Sequence, residues 1–333
     1  MFDFGHARDY TSPMKIFITR IIPDRGLVLV KEHFPTCDIW SADMPPAREE
    51  LLQCVRGVDG LLCLLTEKID GELMDAAGPQ LKVISSMSVG VDHIDVAAAT
   101  ARGIPVGNTP GVLTDATADM AFALLFASAR RVVEGEKYVR SGSWKTWNPK
   151  LLLGVDFIGA TLGIVGFGRI GQAVAKRSHG FDMRVIYHDP TAQPAFGAQP
   201  VDLDTLLRES DFVSIHVPLT EKTRRMVNAD FLAKMKPTSI LVNTSRGGVV
   251  DQVALYDALK AKKIFAAALD VTDPEPLPTD NPLLELENCL IVPHLGSASQ
   301  HTRDMMSLLA AENLIAGLKG ERLPNCVNPE VYK

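Results

Sequence analysis

Short apolar runs alternate with helical patterns along most of the chain. Three apolar runs near its start, at 14–20, 60–65 and 81–88, predict buried parallel strands. Helical patterns lie between them, and 47–56 and 94–102 are two examples. This regular exchange of strands and helices predicts a parallel sheet covered by helices.

A second series of the same kind follows a long apolar segment. Positions 113–131 are rich in alanine, which predicts a mostly buried helix that connects two domains. The series ends in a long helix, 299–320, that we expect to be amphipathic. So many strand–helix repeats predict a doubly wound parallel sheet. Its predicted strands are 160–168, 183–189, 212–218, 239–245, 265–271 and 289–294, and its predicted helices are 169–180, 203–209, 228–236 and 251–262.

Composition and charge narrow the class of protein. The 333 residues are 46% hydrophobic and 22% charged, which is typical of a globular protein large enough for two domains. A formal net charge of −6 argues against nucleic acid as the main partner, because phosphate backbones favour basic surfaces. The five cysteines form no C-x-x-C pair, which favours reduced thiols in a cytoplasmic protein.

Other features of the sequence predict absences. No apolar run is long enough to span a membrane, and we expect no metal site. Residues 1–13 lack the basic start and apolar core of a signal peptide. We expect them to form an N-terminal extension before the first strand.

The motif GFGRIG joins the first strand of the second series to its helix. A G-x-G-x-x-G motif is weak alone, but this strand-to-helix context is the one that dinucleotide binding requires. The first glycine permits the tight turn, the second lets backbone approach the pyrophosphate, and the third allows close packing of helix on strand. The helix N-terminus then offers free N–H groups to the phosphates. The predicted cofactor-binding residues of this loop are Gly166, Gly168, Arg169, Ile170 and Gly171.

Asp189 ends the next predicted strand. A carboxylate there accepts hydrogen bonds from the ribose hydroxyls of NAD and repels the 2′-phosphate of NADP. No basic residue follows within 190–194 to hold such a phosphate. The sequence therefore favours NAD over NADP, and a turn cap before Pro190 is the alternative role for this side chain.

Three polar segments follow successive strands of the second series and contain Arg246, Glu275 and His294. The carboxyl ends of parallel strands are where open α/β sheets bind ligands. An arginine binds a carboxylate in a planar fork, a histidine donates a proton near neutral pH, and a glutamate orients the ring and favours its imidazolium form. These groups suit the reduction of a 2-oxo acid.

Each of the three residues has a simpler interpretation when taken alone. Arg246 is then an ordinary anion clamp, Glu275 a charge on a surface loop, and His294 a satisfied core histidine. Their occurrence on three consecutive strand ends favours a catalytic set.

Long segments of the chain resemble the D-isomer-specific 2-hydroxyacid dehydrogenases, and among them the glyoxylate reductase/hydroxypyruvate reductase type. The resemblance extends from about Met14 to Leu323. Segments that carry it include LKVISSMSVGVDHID (81–95), GIVGFGRIGQAVAKR (163–177), VNTSRGGVVDQ (242–252), LDVTDPEPLPTDNPLL (269–284) and PHLGSAS (293–299).

The resemblance implies two α/β domains, with the nucleotide-binding domain, 113–299, inserted in a substrate-binding domain made of 14–112 and 300–333. It implies that the reaction occurs in the cleft between them. Arg246 then binds substrate, and Glu275 pairs with the proton donor His294. Reduction of glyoxylate and hydroxypyruvate is the implied activity.

The resemblance also assigns further binding residues. Val89 and Gly90 bind the substrate carboxylate through backbone N–H groups, since glycine lets a ligand come close to backbone. Ser297 is a further substrate-binding residue. The expected cofactor-binding residues outside the glycine loop and Asp189 are Thr117, Pro218, Thr244, Ser245, Asp270, His294 and Gly296.

Trp144 and Trp147 lie close together on a polar stretch, which favours an interface over a core. The resemblance implies a homodimer in which Trp147 reaches the partner's active site and limits substrate size. Packing of both rings on their own domain is the alternative.

Other functions fit the same motifs. D-lactate dehydrogenase and phosphoglycerate dehydrogenase are alternatives within the family, and the short tail after the last long helix disfavours the second. A dinucleotide-sensing corepressor of the same fold keeps the catalytic residues, so the motifs do not exclude it.

The chain departs from many glyoxylate/hydroxypyruvate reductases in one place. Those enzymes carry an arginine after the second strand of the nucleotide-binding series and use NADP, whereas this chain has Asp189-Pro190 there.

Overall fold

The computed structural model describes residues 14–333, and the expected extension at 1–13 lies outside the described residues. The chain divides into two compact units, each with its own sheet. One contains residues up to Val112 together with Gln300–Lys333, and the other is the continuous segment Leu113–Ser299.

The first unit contains a five-stranded parallel sheet in the order β2-β1-β3-β4-β5. Its strands are β1 (Ile16–Ile18), β2 (Asp38–Ile39), β3 (Gly60–Cys63), β4 (Val83–Ser86) and β5 (Val106–Gly107), and its helices are α1 (Asp24–His33), α2 (Arg48–Cys54), α3 (Gly71–Ala77), α4 (Val96–Ala101) and α11 (Gln300–Leu318). A 3₁₀ turn, Pro329–Tyr332, lies near the end of the chain.

The long helix α11 is largely buried, so the prediction of an amphipathic helix is wrong. It packs on α1 and on the sheet strands β3, β4 and β5, and only its first two residues, Gln300 and His301, are exposed. A helix that contacts neighbours on several sides needs apolar or small residues all round. Its apolar residues therefore lack the one-sided spacing of a surface helix.

The second unit contains a seven-stranded parallel sheet in the order β12-β11-β10-β9-β6-β7-β8. Apolar helix residues cover both of its faces, from α5 and α7 on one side and from α8, α9 and α10 on the other. Its strands are β6 (Thr161–Val165), β7 (Arg184–His188), β8 (Gln199–Pro200), β9 (Phe212–Ile215), β10 (Ile240–Asn243), β11 (Ala266–Leu269) and β12 (Cys289–Ile291). Its helices are α5 (Thr114–Ala129), α6 (Val132–Arg140), α7 (Arg169–Ser178), α8 (Leu203–Glu209), α9 (Ala229–Lys234) and α10 (Gln252–Lys260), with 3₁₀ turns at His179–Phe181, Gly247–Val249 and Pro282–Glu285.

This strand order is that of a Rossmann fold, and the predicted fold class is confirmed for both units. The chain leaves β6 in one direction through β7 and β8 and returns to its other side through β9. The order therefore reverses beside β6, which is where open α/β sheets form a ligand-binding crevice. Within 14–333, no helix is both long and apolar enough to cross a membrane.

Candidate active site

The glycine-rich loop follows β6, beside the point where the strand order reverses. Gly166 adopts a φ of +91°, and a Cβ there would lie 2.7 Å from the carbonyl carbon of His216. A Cβ on Gly171 would lie 2.3 Å from the carbonyl oxygen of Gly166, so only glycine lets α7 pack this closely. A Cβ on Gly168 meets nothing within 4 Å.

The same loop has the features that a dinucleotide pyrophosphate requires. Gly168 is the N-terminal cap of α7, and no side chain of residues 14–333 caps the free N–H groups that follow it. Open space at Gly168 and uncapped N–H groups suit a bound anion. The residues present therefore fit the nicotinamide dinucleotide that the motif predicts, with Arg169 and Ile170 in the first turn of α7.

Asp189 lies just after β7 and connects that strand to the glycine loop. Its carboxylate accepts hydrogen bonds from the backbone N–H of Phe167 at 2.8 Å, of Thr191 at 2.9 Å and of Ala192 at 3.1 Å. Partial burial opposes ionisation, but these hydrogen bonds outweigh it and lower the pKa of Asp189. The side chain therefore caps the turn, and it is also an anion at the end of the second strand.

Asp270 is buried directly after β11 and organises the segment after β12. It accepts hydrogen bonds from the backbone N–H of Leu295 at 2.6 Å and of Gly296 at 2.8 Å. A Cβ on Gly296 would lie 2.8 Å from this carboxylate and 3.5 Å from the Thr117 side chain. Three predicted cofactor residues, Thr117, Asp270 and Gly296, thus lie together. Burial raises the pKa of Asp270.

His294 and Glu275 form a close pair. The Nδ1 atom of His294 lies 2.5 Å from Oε1 of Glu275, and the two side chains are 24% and 34% exposed. Because the carboxylate occupies Nδ1, Nε2 is the ring nitrogen left to donate a proton outward. His294 has a φ of +53°, a conformation that non-glycine residues rarely adopt and that recurs at functional sites. Its backbone N–H donates to the carbonyl of Asp270 at 2.9 Å.

Arg246 begins the tight turn after β10. Asn243, the last residue of β10, is fully buried and donates from Nδ2 to the Arg246 carbonyl at 2.9 Å, while its Oδ1 accepts from the backbone and hydroxyl of Ser245. A Cβ on Gly247 would lie 1.9 Å from the carbonyl of Thr272, so the turn requires glycine there. No role was predicted for Asn243 from the sequence, although a buried side-chain amide at a strand end indicates one.

The three catalytic candidates follow neighbouring strands. Arg246 follows β10, Glu275 lies in the segment after β11, and His294 follows β12. These strands are adjacent in the sheet, so the three segments leave the same edge side by side.

A neutral histidine, His216, directly follows β9, the strand beside β10. His216 Nε2 is 2.7 Å from Oγ of Ser214, and its Nδ1 is 3.5 Å from Oγ1 of Thr244. Burial lowers the pKa of His216 to about 4, so the ring is uncharged at neutral pH. Of the other predicted residues of this unit, Pro218 is exposed and accepts a hydrogen bond from Thr223, and Ser297 is buried.

Val89 and Gly90 lie in the first unit, in the turn after β4, and are half-buried. No group of residues 14–333 accepts a hydrogen bond from either backbone N–H.

Trp147 lies in the second unit, and 79% of its surface is exposed to solvent. The alternative that both tryptophans pack on their own domain is wrong, because Trp144 is also 61% exposed.

Comparisons with known proteins agree with this architecture. Residues 122–296 match the family described as D-isomer specific 2-hydroxyacid dehydrogenase, NAD binding domain. A glyoxylate reductase of Korarchaeum cryptofilum is 54% identical over 324 residues, which is 96% of this chain and 97% of the relative.

Solved structures are similar over almost the whole chain. The TT0316 protein from Thermus thermophilus is 50% identical with a TM-score of 0.89, over 94% of this chain and 100% of that one. An NADPH-dependent glyoxylate/hydroxypyruvate reductase from Sinorhizobium meliloti, in complex with NADP and malonate, is 33% identical with a TM-score of 0.82, over 95% of this chain and 97% of that one.

Proposed function

The chain belongs to the D-isomer-specific 2-hydroxyacid dehydrogenase family, and on that premise we propose that it reduces glyoxylate to glycolate and hydroxypyruvate to D-glycerate. The observation that carries the proposal is the His294–Glu275 pair at 2.5 Å, beside the turn of Arg246 on adjacent strand ends. A relative named glyoxylate reductase, at 54% identity and near-complete coverage, supports this substrate class.

Each residue of the proposed site has a defined task. The nicotinamide, when bound, supplies a hydride equivalent to the carbonyl carbon of the substrate. His294 donates one proton to the carbonyl oxygen, so the ketone or aldehyde becomes a hydroxyl group. Glu275 stabilises the protonated ring and holds it by Nδ1. Arg246 pairs with the substrate carboxylate and polarises the carbonyl.

We propose that NAD is preferred over NADP. The carboxylate of Asp189, just after β7, repels a 2′-phosphate when it is ionised. The hydrogen bonds that it accepts favour this ionised form. The segment 190–194 supplies no basic side chain to offset that repulsion. The similar reductase from Sinorhizobium meliloti is NADPH-dependent. Comparing the rates of this protein with NADH and with NADPH therefore tests the proposed preference.

We propose that the protein is a homodimer joined through its second units. Helix α6 has no buried residue, and the segment after it is solvent-exposed around both tryptophans. Monomeric proteins rarely expose a large apolar patch. The apolar strip that we assign to the interface consists of Val132, Val139, Trp144, Trp147, Leu153 and Ile158, each more than half exposed.

Oxidation of NADH with glyoxylate, hydroxypyruvate and pyruvate tests the proposed activity. We expect turnover above about 1 per second with the first two substrates, which is the range of ordinary enzymes. Product analysis should show glycolate and D-glycerate. NADH binding without turnover on any 2-oxo acid would exclude the proposed activity and favour a dinucleotide sensor.

A further inference from the structure

In the turn after β4, three consecutive carbonyl groups accept hydrogen bonds from within the first unit. The Ser88 carbonyl accepts from the backbone N–H of Thr109 at 2.9 Å. The Val89 carbonyl accepts from Nδ2 of Asn108 at 2.9 Å, and the Gly90 carbonyl accepts from Oγ of Ser88 at 2.7 Å. Three consecutive peptide groups are therefore fixed in orientation.

Fixing a carbonyl also fixes the next N–H, because the two groups point in opposite directions in a planar trans peptide. The contact from Thr109 to the Ser88 carbonyl thus turns the Val89 N–H away from the protein. The contact from Asn108 to the Val89 carbonyl does the same for the Gly90 N–H. Neither N–H has a hydrogen-bond acceptor among residues 14–333. Successive free N–H groups of this kind bind anions.

We propose that Asn108 and Ser88 are positioning residues that hold the Val89 and Gly90 N–H groups in the orientation that binds the substrate carboxylate. The inference rests on the proposed function, since it assigns a task in binding the carboxylate of the proposed substrate. Neither side chain is required to touch the substrate. Each acts on it through a backbone carbonyl.

The hydroxyl chain behind the turn has a single direction. A carbonyl only accepts, so Ser88 donates its hydrogen to Gly90 and accepts from Ser86, whose Oγ lies 2.7 Å away. The Ser86 hydrogen is then committed, so Nε2 of His93, 3.1 Å away, donates to Ser86. The chain therefore runs from His93 through two serines to Gly90 and requires the Nε2–H form of that histidine.

Asn108 is supported in turn by the last long helix. Asn313 of α11 is fully buried, donates from Nδ2 to the Asn108 carbonyl at 2.9 Å and accepts from the Asn325 N–H at 2.9 Å. A Cβ on Gly107 would lie 2.7 Å from the Cβ of Asn313, so glycine is needed for this approach. The end of the chain thereby stabilises the turn after β4.

Asn108→Ala tests the proposal most directly. We expect KM for glyoxylate to rise about tenfold, within the range for loss of part of a hydrogen bond to a charged group, while kcat stays within about twofold. The dissociation constant of oxamate, a non-reducible 2-oxo acid analogue, from the enzyme with NADH should rise by the same factor. NADH binding should not change. Ser88→Ala should give the same pattern.

Asn328→Ala is the matched control. Asn328 is also a buried asparagine of the first unit and hydrogen-bonds Val106, Ile104 and Thr100, but it does not contact the turn. We expect it to lower Tm and to leave KM and the oxamate constant unchanged. Asn313→Ala keeps its Cβ against Gly107 and should raise KM about threefold, because it acts through another residue.

The outcomes separate the two proposals. If the wild-type enzyme reduces 2-oxo acids but Asn108→Ala leaves KM and oxamate binding unchanged, or loses only kcat, the positioning role is wrong. The same holds if Asn328→Ala raises KM equally. If the wild type reduces no 2-oxo acid, the proposed function fails. Oxamate binding that is weakened in Asn108→Ala alone would then still support the role of the turn.

Discussion

At the residue scale, the pairing of His294 with Glu275 supports the role of general acid that we propose for His294. Nδ1 lies against the carboxylate, so Nε2 is the ring nitrogen that can give a proton to a substrate. We expect His294→Ala to lower kcat for glyoxylate reduction by at least about a hundredfold, the usual contribution of general-acid catalysis. NADH binding should change little. Stopped-flow kinetics measures kcat for both variants, and His179→Ala, which replaces an exposed histidine, is the control. A near-normal kcat for His294→Ala would exclude His294 from the mechanism.

Glu275 is predicted to set the pH range of the reaction. Reduction needs the protonated ring, and Glu275→Gln removes the charge that stabilises it. Activity should therefore begin to fall at lower pH in the variant than in the wild type, with the loss greatest at high pH. The measurement is the pH dependence of kcat/KM, with the exposed Glu285→Gln as control. Identical profiles for wild type and Glu275→Gln would leave Glu275 as a loop residue only.

At the scale of elements, the succession of strands and helices and the glycine loop could be predicted from the sequence, because apolar runs and the GFGRIG spacing indicate them directly. The strand ends were not. The predicted strand 212–218 ends at Ile215, and 239–245 ends at Asn243. The residues after each strand end continue the sequence pattern of the strand. They nevertheless no longer pair with the neighbouring strands, and they form the edge at which we propose that the ligand binds. The pattern does not separate these two roles.

Elements held by contacts distant in sequence were also missed. Helix α1 contains Gly26, and a Cβ there would lie 2.2 Å from the carbonyl of Ser307 in α11. The glycine weakens the local helical pattern but is required by that approach. The roles of Asn108 and Asn243 were missed for a similar reason, since their partners are specified by the fold. Arg246, Glu275 and His294 could be proposed from the sequence because each follows a recognisable strand.

The connection from β7 to the glycine loop makes a prediction about cofactor choice. Asp189→Ala and Asp189→Asn both remove the negative charge, and only the second keeps an oxygen that accepts hydrogen bonds. We expect both to narrow the ratio of kcat/KM for NADH over NADPH by about tenfold, equivalent to about 1.4 kcal/mol. Asp189→Ala should also weaken NADH binding, because Phe167 loses its hydrogen-bond acceptor. A wild-type enzyme that works better with NADPH would contradict the proposed preference.

At the scale of the whole molecule, the exposed apolar strip predicts the assembly. Ile158 is 81% exposed, so Ile158→Asp should leave the fold intact while placing a charge in the interface. We expect sedimentation to show a dimer for the wild type and a shift toward monomer for this variant. Val253→Asp, at a 72% exposed position of the same unit outside the strip, is the control. A wild-type enzyme that sediments as an active monomer would exclude the dimer.

Trp147 is predicted to act across that interface. If its ring borders the partner's substrate site, Trp147→Ala enlarges the site without removing a catalytic group. The kcat/KM for pyruvate and bulkier 2-oxo acids should rise relative to glyoxylate, by about tenfold for one added methyl group or more. Trp144→Ala serves as the comparison. An unchanged substrate ranking would confine Trp147 to dimer contacts.

The discontinuity of the first unit has a consequence for how the protein is made. Its sheet is translated early, but α11, which covers β3 and β4, lies beyond the whole second unit. At about 5–20 residues per second, the intervening 187 residues occupy the ribosome for roughly 10–40 seconds. During that interval the second unit can complete its own core, whereas the first keeps an apolar sheet face uncovered. The nascent chain should therefore complete its second unit before its first, and it should need chaperones most before its last long helix has been made.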